Sequence, residues 1–127
     1  MLKIGSEPDG ARIKTIYEFD NILTRNDAVN LIIKICKRIP LGCKTIEAKN
    51  GDIIYKSDTY DFADCPSEKI INACAEINID SITVSGLFKG YTTSFEMNLK
   101  TKELGIICFE SRIMHSVPEL ERIIESL

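Results

Sequence analysis

Between Asp80 and Phe109 apolar and polar positions alternate through three successive stretches whose registers agree, which predicts an antiparallel meander. With Lys89 and Gly90 as a two-residue turn, Gly90 supplying the positive φ, Phe88 faces Tyr91, Gly86 faces Thr93, Val84 faces Phe95 and Ile82 faces Met97. The large residues of these pairs then share one face. Leu87 with Thr92, Ser85 with Ser94 and Thr83 with Glu96 form the other, mostly polar face, and a slip by one residue would turn Phe95 and Met97 toward water. Gly86 reads either as a bulge or as a gap covered by a neighbouring aromatic. A second turn centred on Thr101 and Lys102 pairs Leu99 with Leu104, Met97 with Ile106, Phe95 with Cys108, and Lys100 with Glu103.

The rest of the chain supplies flanking strands and three helices. Ser6 to Gly10 (SEPDG) is a turn signal, and the piece before it is too short to assign as a strand. Arg12 to Phe19 alternates as a half-buried strand. Thr24 can cap a helix through the amide near Asp27, and Ala28, Leu31, Ile32, Ile35 and Ile39, widened by Val29, Ile33 and Cys36, make that helix largely buried. Pro40 and Gly42 end it. Lys44 to Lys56 reads as a hairpin about Asn50 and Gly51, with Ile46 facing Tyr55, Ala48 facing Ile53, and Ile54 on the opposite face. A second helix begins about Pro66, with Ile70, Ala73, Cys74 and Ile77 at helical spacing. Ser116 and Glu119 form a capping box around Pro118 for a last helix, whose stripe is Val117, Leu120, Ile124 and Leu127. The predicted fold is α+β, one domain over residues 1–127: an antiparallel sheet of about six strands, helices mainly on one face, in the order β-α-β-β-α-β-β-β-α.

A chain of 127 residues can bury a core without disulfide or metal. Its five cysteines, Cys36, Cys43, Cys65, Cys74 and Cys108, form no C-x-x-C motif, and reduced thiols in a reducing compartment are the simplest account. Apolar runs too short to cross a membrane, together with an N-terminus lacking the apolar core of a secretory signal, point to a cytoplasmic protein with no membrane partner. The net charge of −3 argues against general nucleic-acid binding.

Candidate chemistry is sparse. Cys65 stands at the amino end of the second helix, where amides stabilise a thiolate, and His115 is the chain's one histidine, so a small enzyme using both, or a ligand-binding pocket between sheet and helices, is one reading. No catalytic spacing links the two residues. Asp58, Asp61 and Asp64 recur every third residue without the spacing or glycine of a calcium loop, so neither metal nor cofactor is expected. Charge is more informative. Lys34, Lys37, Arg38, Lys44 and Lys49 oppose only Glu47 within residues 34–49, whereas Asp52, Asp58, Asp61, Asp64 and Glu68 oppose only Lys56 within residues 52–68. The acidic segment interleaves Tyr55, Tyr60 and Phe62, a combination that steers a basic protein surface by charge and anchors it by rings. Ile16, Ile54, Leu87, Ile107 and Phe109 fall on the second sheet face, where an apolar patch would be covered by the chain itself or serve a homodimer.

The SGLFKG turn, the alternating strand after it and NLKTKELGI, preceded by an acidic loop in a small chain of reduced cysteines, resemble the small cytosolic immunity proteins of bacterial toxin–immunity systems. The resemblance implies inhibition of a cognate toxin domain by binding. The expected function is therefore a non-enzymatic inhibitor whose contact residues are Asp58, Tyr60, Asp61, Phe62, Asp64 and Glu68, facing a basic partner. The small enzyme and the dimerising structural subunit are the alternatives.

Overall fold

Strand periodicity and helix caps set the elements of the computed structural model, which describes residues 2–9, 12–48, 52–57, 65–76, 78–89, 91–109 and 122–127. Along the chain these are β1 (Leu2–Asp9), β2 (Arg12–Glu18), α1 (Arg25–Arg38), β3 (Gly42–Ala48), β4 (Ile53–Lys56), α2 (Ser67–Cys74), β5 (Ser81–Phe88), β6 (Tyr91–Asn98) and β7 (Glu103–Phe109). Residues 122–125 add a last helical turn, while Ser116 to Glu119, the predicted cap of that helix, lie outside the described residues. The α+β class and the element order follow the sequence expectation, with one strand added at the front. Ser6 to Asp9, read as part of a turn, continue β1, which pairs with β2 from Leu2↔Glu18 to Asp9↔Arg12, while Gly10 lies outside the described residues. Pro8 is tolerated there because β1 is an outermost strand, where a missing ladder donor costs least.

All the strands join one antiparallel sheet in the order β1-β2-β7-β6-β5-β3-β4. The meander of β5, β6 and β7 is its centre. α1 crosses from β2 to β3 over that centre, and its Ala28, Leu31, Ile32 and Ile35 merge with Ile46, Ile82, Val84, Phe95, Met97, Leu104 and Ile106 in one core. α2 adds Ile70 and Cys74 to the same core, so both helices cover one face of the sheet. Among the described residues no helix is long and apolar enough to cross a membrane.

The first meander register is as predicted, from Ile82↔Met97 to Phe88↔Tyr91, and Lys89 takes the positive φ of its turn at 52°. The second is displaced by two residues: Met97 meets Leu104, Phe95 meets Ile106 and Thr93 meets Cys108. A displacement of two keeps every side chain on its face, so the core is unaltered. Its cause is Asn98, whose side-chain oxygen accepts from the amides of Lys100 and Thr101 at 2.9 Å each, while Lys102, at φ 60°, donates its amide to the Asn98 carbonyl at 2.8 Å.

The first hairpin departs further. Ile46 faces Tyr55 as expected, but the register then shifts and Glu47, not Ala48, faces Ile53. This bulge turns Ile53 to solvent and lets Ile54 pack against the core instead of standing on the opposite face. Gly86 stands opposite a bulge, but one in the neighbouring β3 rather than in its own strand. A Cβ there would lie 2.8 Å from both the Gly42 carbonyl oxygen and the Leu41 Cβ, so the glycine admits the backbone of β3 where that strand has its own irregularity between Gly42 and Thr45.

Candidate functional site

The margin formed by β4 and α2 flanks the predicted contact segment. β4 is short and last in the sheet order. Its bulge leaves Ile53 58% exposed, beside exposed Asp52. On α2, Ile70 and Cys74 point inward, leaving Glu68, Lys69 and Asn72 exposed and Ile71 50% exposed. The Lys69 ammonium lies 5.9 Å from the centre of the Tyr55 ring, a cation–π contact that joins the two elements. Between them, the amide of Ser57 donates to the Lys44 carbonyl at 2.8 Å, and Cys65 reaches α1 through its thiol. Of the predicted contact residues, Glu68 is described and faces solvent, whereas Asp58, Tyr60, Asp61, Phe62 and Asp64 lie outside the described residues. Tyr55, counted among the rings of that segment, packs against the core.

The basic segment is not one surface. Lys34, Lys37 and Arg38 are exposed on α1, where Lys34 donates to the Leu127 carbonyl at 3.4 Å and Arg38 to that of Ser126 at 2.6 Å. Lys44 is only 2% exposed: β3 alternates, and Lys44 falls in the inward row with Ile46 and Ala48. Its ammonium donates to the Cys36 carbonyl at 3.3 Å, in keeping with the need of a buried charge for polar partners. Lys49 lies outside the described residues.

Two cysteines lie along this side of α1. The half-buried Cys65 thiol donates to the Ile33 carbonyl at 3.8 Å and lies 3.3 Å from the Ser67 hydroxyl. Cys36, one turn beyond Ile33 on α1, is fully buried. Burial pushes the Cys36 thiol up to about 12, Cys65 adds to the rise, and the charge of Lys44 opposes it. Burial also raises the Cys74 thiol, against the nearby Arg25 charge. His115, the proposed base for Cys65, lies outside the described residues.

A pocket of about 350 Å³ opens beside α1, with Phe19 and Leu31 below and Asn21, Asn30, Lys34 and Lys37 among its polar lining. Asp27 also lines it, but its carboxylate is held by the α1 capping box, accepting from the amides of Leu23 and Thr24 at 3.0 and 2.9 Å, which lowers its pKa. No group of three or more His, Cys, Asp or Glu side chains able to hold a metal occurs among the described residues.

Among the described residues the second sheet face is not a continuous apolar patch. Across β7, β6 and β5 one row reads Ile107, Ser94, Ser85 and the next Gly105, Glu96, Thr83. Ser85 and Ser94 hydrogen-bond at 3.0 Å. Lys14 lies over Gly105, where a Cβ would meet its Cε at 2.5 Å, and reaches Glu96 at 3.5 Å. Ile16 and Ile107 are half-buried at one side and Leu87 is separated from them, while the side chain of Phe109 is outside the described residues. Comparison of the chain with protein-family models, curated proteins and solved structures returns no match.

Proposed function

We propose that this protein is a non-enzymatic binding module that inhibits a basic protein partner, in the manner of the immunity proteins it resembles, through the segment between β4 and α2. The observation that carries the reading is the charge of residues 52–68, five carboxylates against one lysine, interleaved with Tyr60 and Phe62. Further support comes from the flanks. Ile53 and Ile71 expose large apolar surface beside Asp52 and Glu68, an arrangement in which apolar anchors supply holding energy and carboxylates supply steering. The inward turn of Lys44 strengthens the asymmetry, because it removes a cation from the neighbouring surface.

A partner purified on immobilised protein allows association and dissociation to be followed at two salt concentrations. Reversing Asp58 and Asp61 to Lys is expected to slow association and flatten its salt dependence, since charge acts mainly on encounter. Tyr60→Ala is expected to speed dissociation by roughly thirtyfold, about 2 kcal/mol, if the ring is a central anchor. Unchanged kinetics in both variants would remove this segment as the contact site.

A further inference from the structure

Asp27, Asn30, Lys34 and Lys37 follow one another at three or four residues on α1 and so form one stripe along the helix. All four line the pocket of about 350 Å³, and below them Phe19, Ile22 and Leu31 give it an apolar floor. A volume of that size holds roughly ten waters at about 30 Å³ each and falls within the range of small-molecule sites. Among the described residues none of its lining belongs to β4 or α2, so the cavity is a feature apart from the margin discussed above. We propose that this pocket binds a small carboxylic acid with an aromatic or branched aliphatic body, its carboxylate on Lys34 and Lys37 and its body over Phe19 and Leu31.

Charge is graded along the stripe. Asp27 stands at its amino end, where the amides of Leu23 and Thr24 already donate to the carboxylate. From Asp27 to Lys34 the helix rises about 10 Å, close to one Debye length at physiological salt, so the carboxylate cancels little of the field of the two lysines. Lys37 has no hydrogen-bond or ion-pair partner among the described residues. Lys34 donates to the main-chain oxygen of Leu127, which also lines the pocket, at 3.4 Å. That bond is longer than the usual N–H···O range, and a carboxylate oxygen of the ligand would replace it with a charge-assisted bond of about 2.7 to 2.9 Å.

The class of ligand follows from having both halves in one cavity. Two lysines one turn apart are point charges on flexible stems, each able to take one oxygen of a carboxylate. The apolar floor rewards a body that covers it, in the usual division of a small-molecule site between apolar burial and a few orienting polar groups. An inorganic anion would satisfy the lysines and leave the floor wet, whereas a neutral molecule of the same shape would cover the floor and leave the lysines without an anion.

The test titrates the folded chain with phenylacetate at low ionic strength and follows the backbone amides by NMR. Saturable shifts at residues 19–22 and 30–37 are expected, with a Kd on the order of a millimolar, the scale open to so small a ligand. The aliphatic acid 4-methylpentanoate should shift the same amides, while phenylacetamide and inorganic phosphate should each bind at least roughly tenfold more weakly. Lys37→Gln should weaken phenylacetate by roughly tenfold and leave the thermal midpoint in place, because that side chain holds no partner in the fold. Lys100→Gln, an exposed lysine of the β6–β7 turn, should bind as the wild type does. The comparison of the four probes on the wild-type chain decides even where a variant does not fold. No saturable shift at these residues, equal binding of phenylacetamide or of phosphate, or unchanged affinity in Lys37→Gln overturns the proposal.

Discussion

Phe95 has Val84 opposite it on β5 and Ile106 opposite it on β7, and none of its surface reaches solvent. Removing the ring takes away transfer energy and leaves a cavity that the surrounding strands cannot collapse into without breaking their ladders. Phe95→Ala is therefore expected to cost about 3 to 5 kcal/mol in chemical denaturation. A loss below about 1 kcal/mol would mean that the ring is not a core residue. This residue was legible because alternation and a single turn specify its face. Gly86 was not, since the group that excludes a Cβ is the Gly42 carbonyl of β3, and nothing local to β5 announces that neighbour. Lys44 was half legible: period-two alternation sets it in the row of Ile46 and Ala48, but a lysine read by charge alone is placed at the surface.

Among the elements, the joint between the helices rests on Arg25 in the first turn of α1. Its guanidinium donates to the Cys74 carbonyl at 3.1 and 3.2 Å, the Glu76 carbonyl at 2.9 Å and the Ile79 carbonyl at 2.7 Å. It thereby places a cation at the carboxyl end of α2, where the helix dipole favours one. Arg25→Ala is expected to destabilise the fold by about 2 to 3 kcal/mol, the scale of hydrogen bonds made by a charged donor. Arg25→Lys should restore only part of the loss, because a single ammonium cannot reach three diverging carbonyls. Near-neutral denaturation midpoints for both variants would show that the joint is held by apolar packing alone. Nothing in the sequence marks this clamp, since an arginine after a capping threonine is ordinary surface composition. Caps themselves read well, as the Thr24–Asp27 box shows. Turns read well only where their governing residue is the one inspected, and the β6–β7 turn obeys Asn98, upstream of Thr101 and Lys102.

For the molecule as a whole, the fold class and element order were legible because each strand and helix carries its own period. The strand order was not, because it depends on pairings between distant segments. The candidate site divides in the same way. The opposed charge of residues 34–49 and 52–68 is visible in one dimension, but which of those residues face water depends on the sheet: Lys44 and Tyr55 turn toward the core, and Ile53, expected inside, faces out. In the sheet β2 lies beside β7, from Arg12↔Phe109 to Glu18↔Glu103, with six elements intervening along the chain. β5, β6 and β7, in contrast, are consecutive and closed by short turns, and such local pairings form before distant ones. Pulse-labelled hydrogen exchange during refolding should therefore show amides of residues 81–109 protected before those of residues 12–18, and protection of β2 first or simultaneously would contradict this order.

The same adjacency has a counterpart in time during synthesis. β7 emerges roughly ninety residues after β2, so at roughly 5–20 residues per second the β2 edge waits on the order of ten seconds for its neighbour. Throughout that interval its ladder groups on that side lack the strand that will pair with them. A chain halted before β7 keeps both that edge and the facing edge of β6 open, and becomes a template for pairing with another copy.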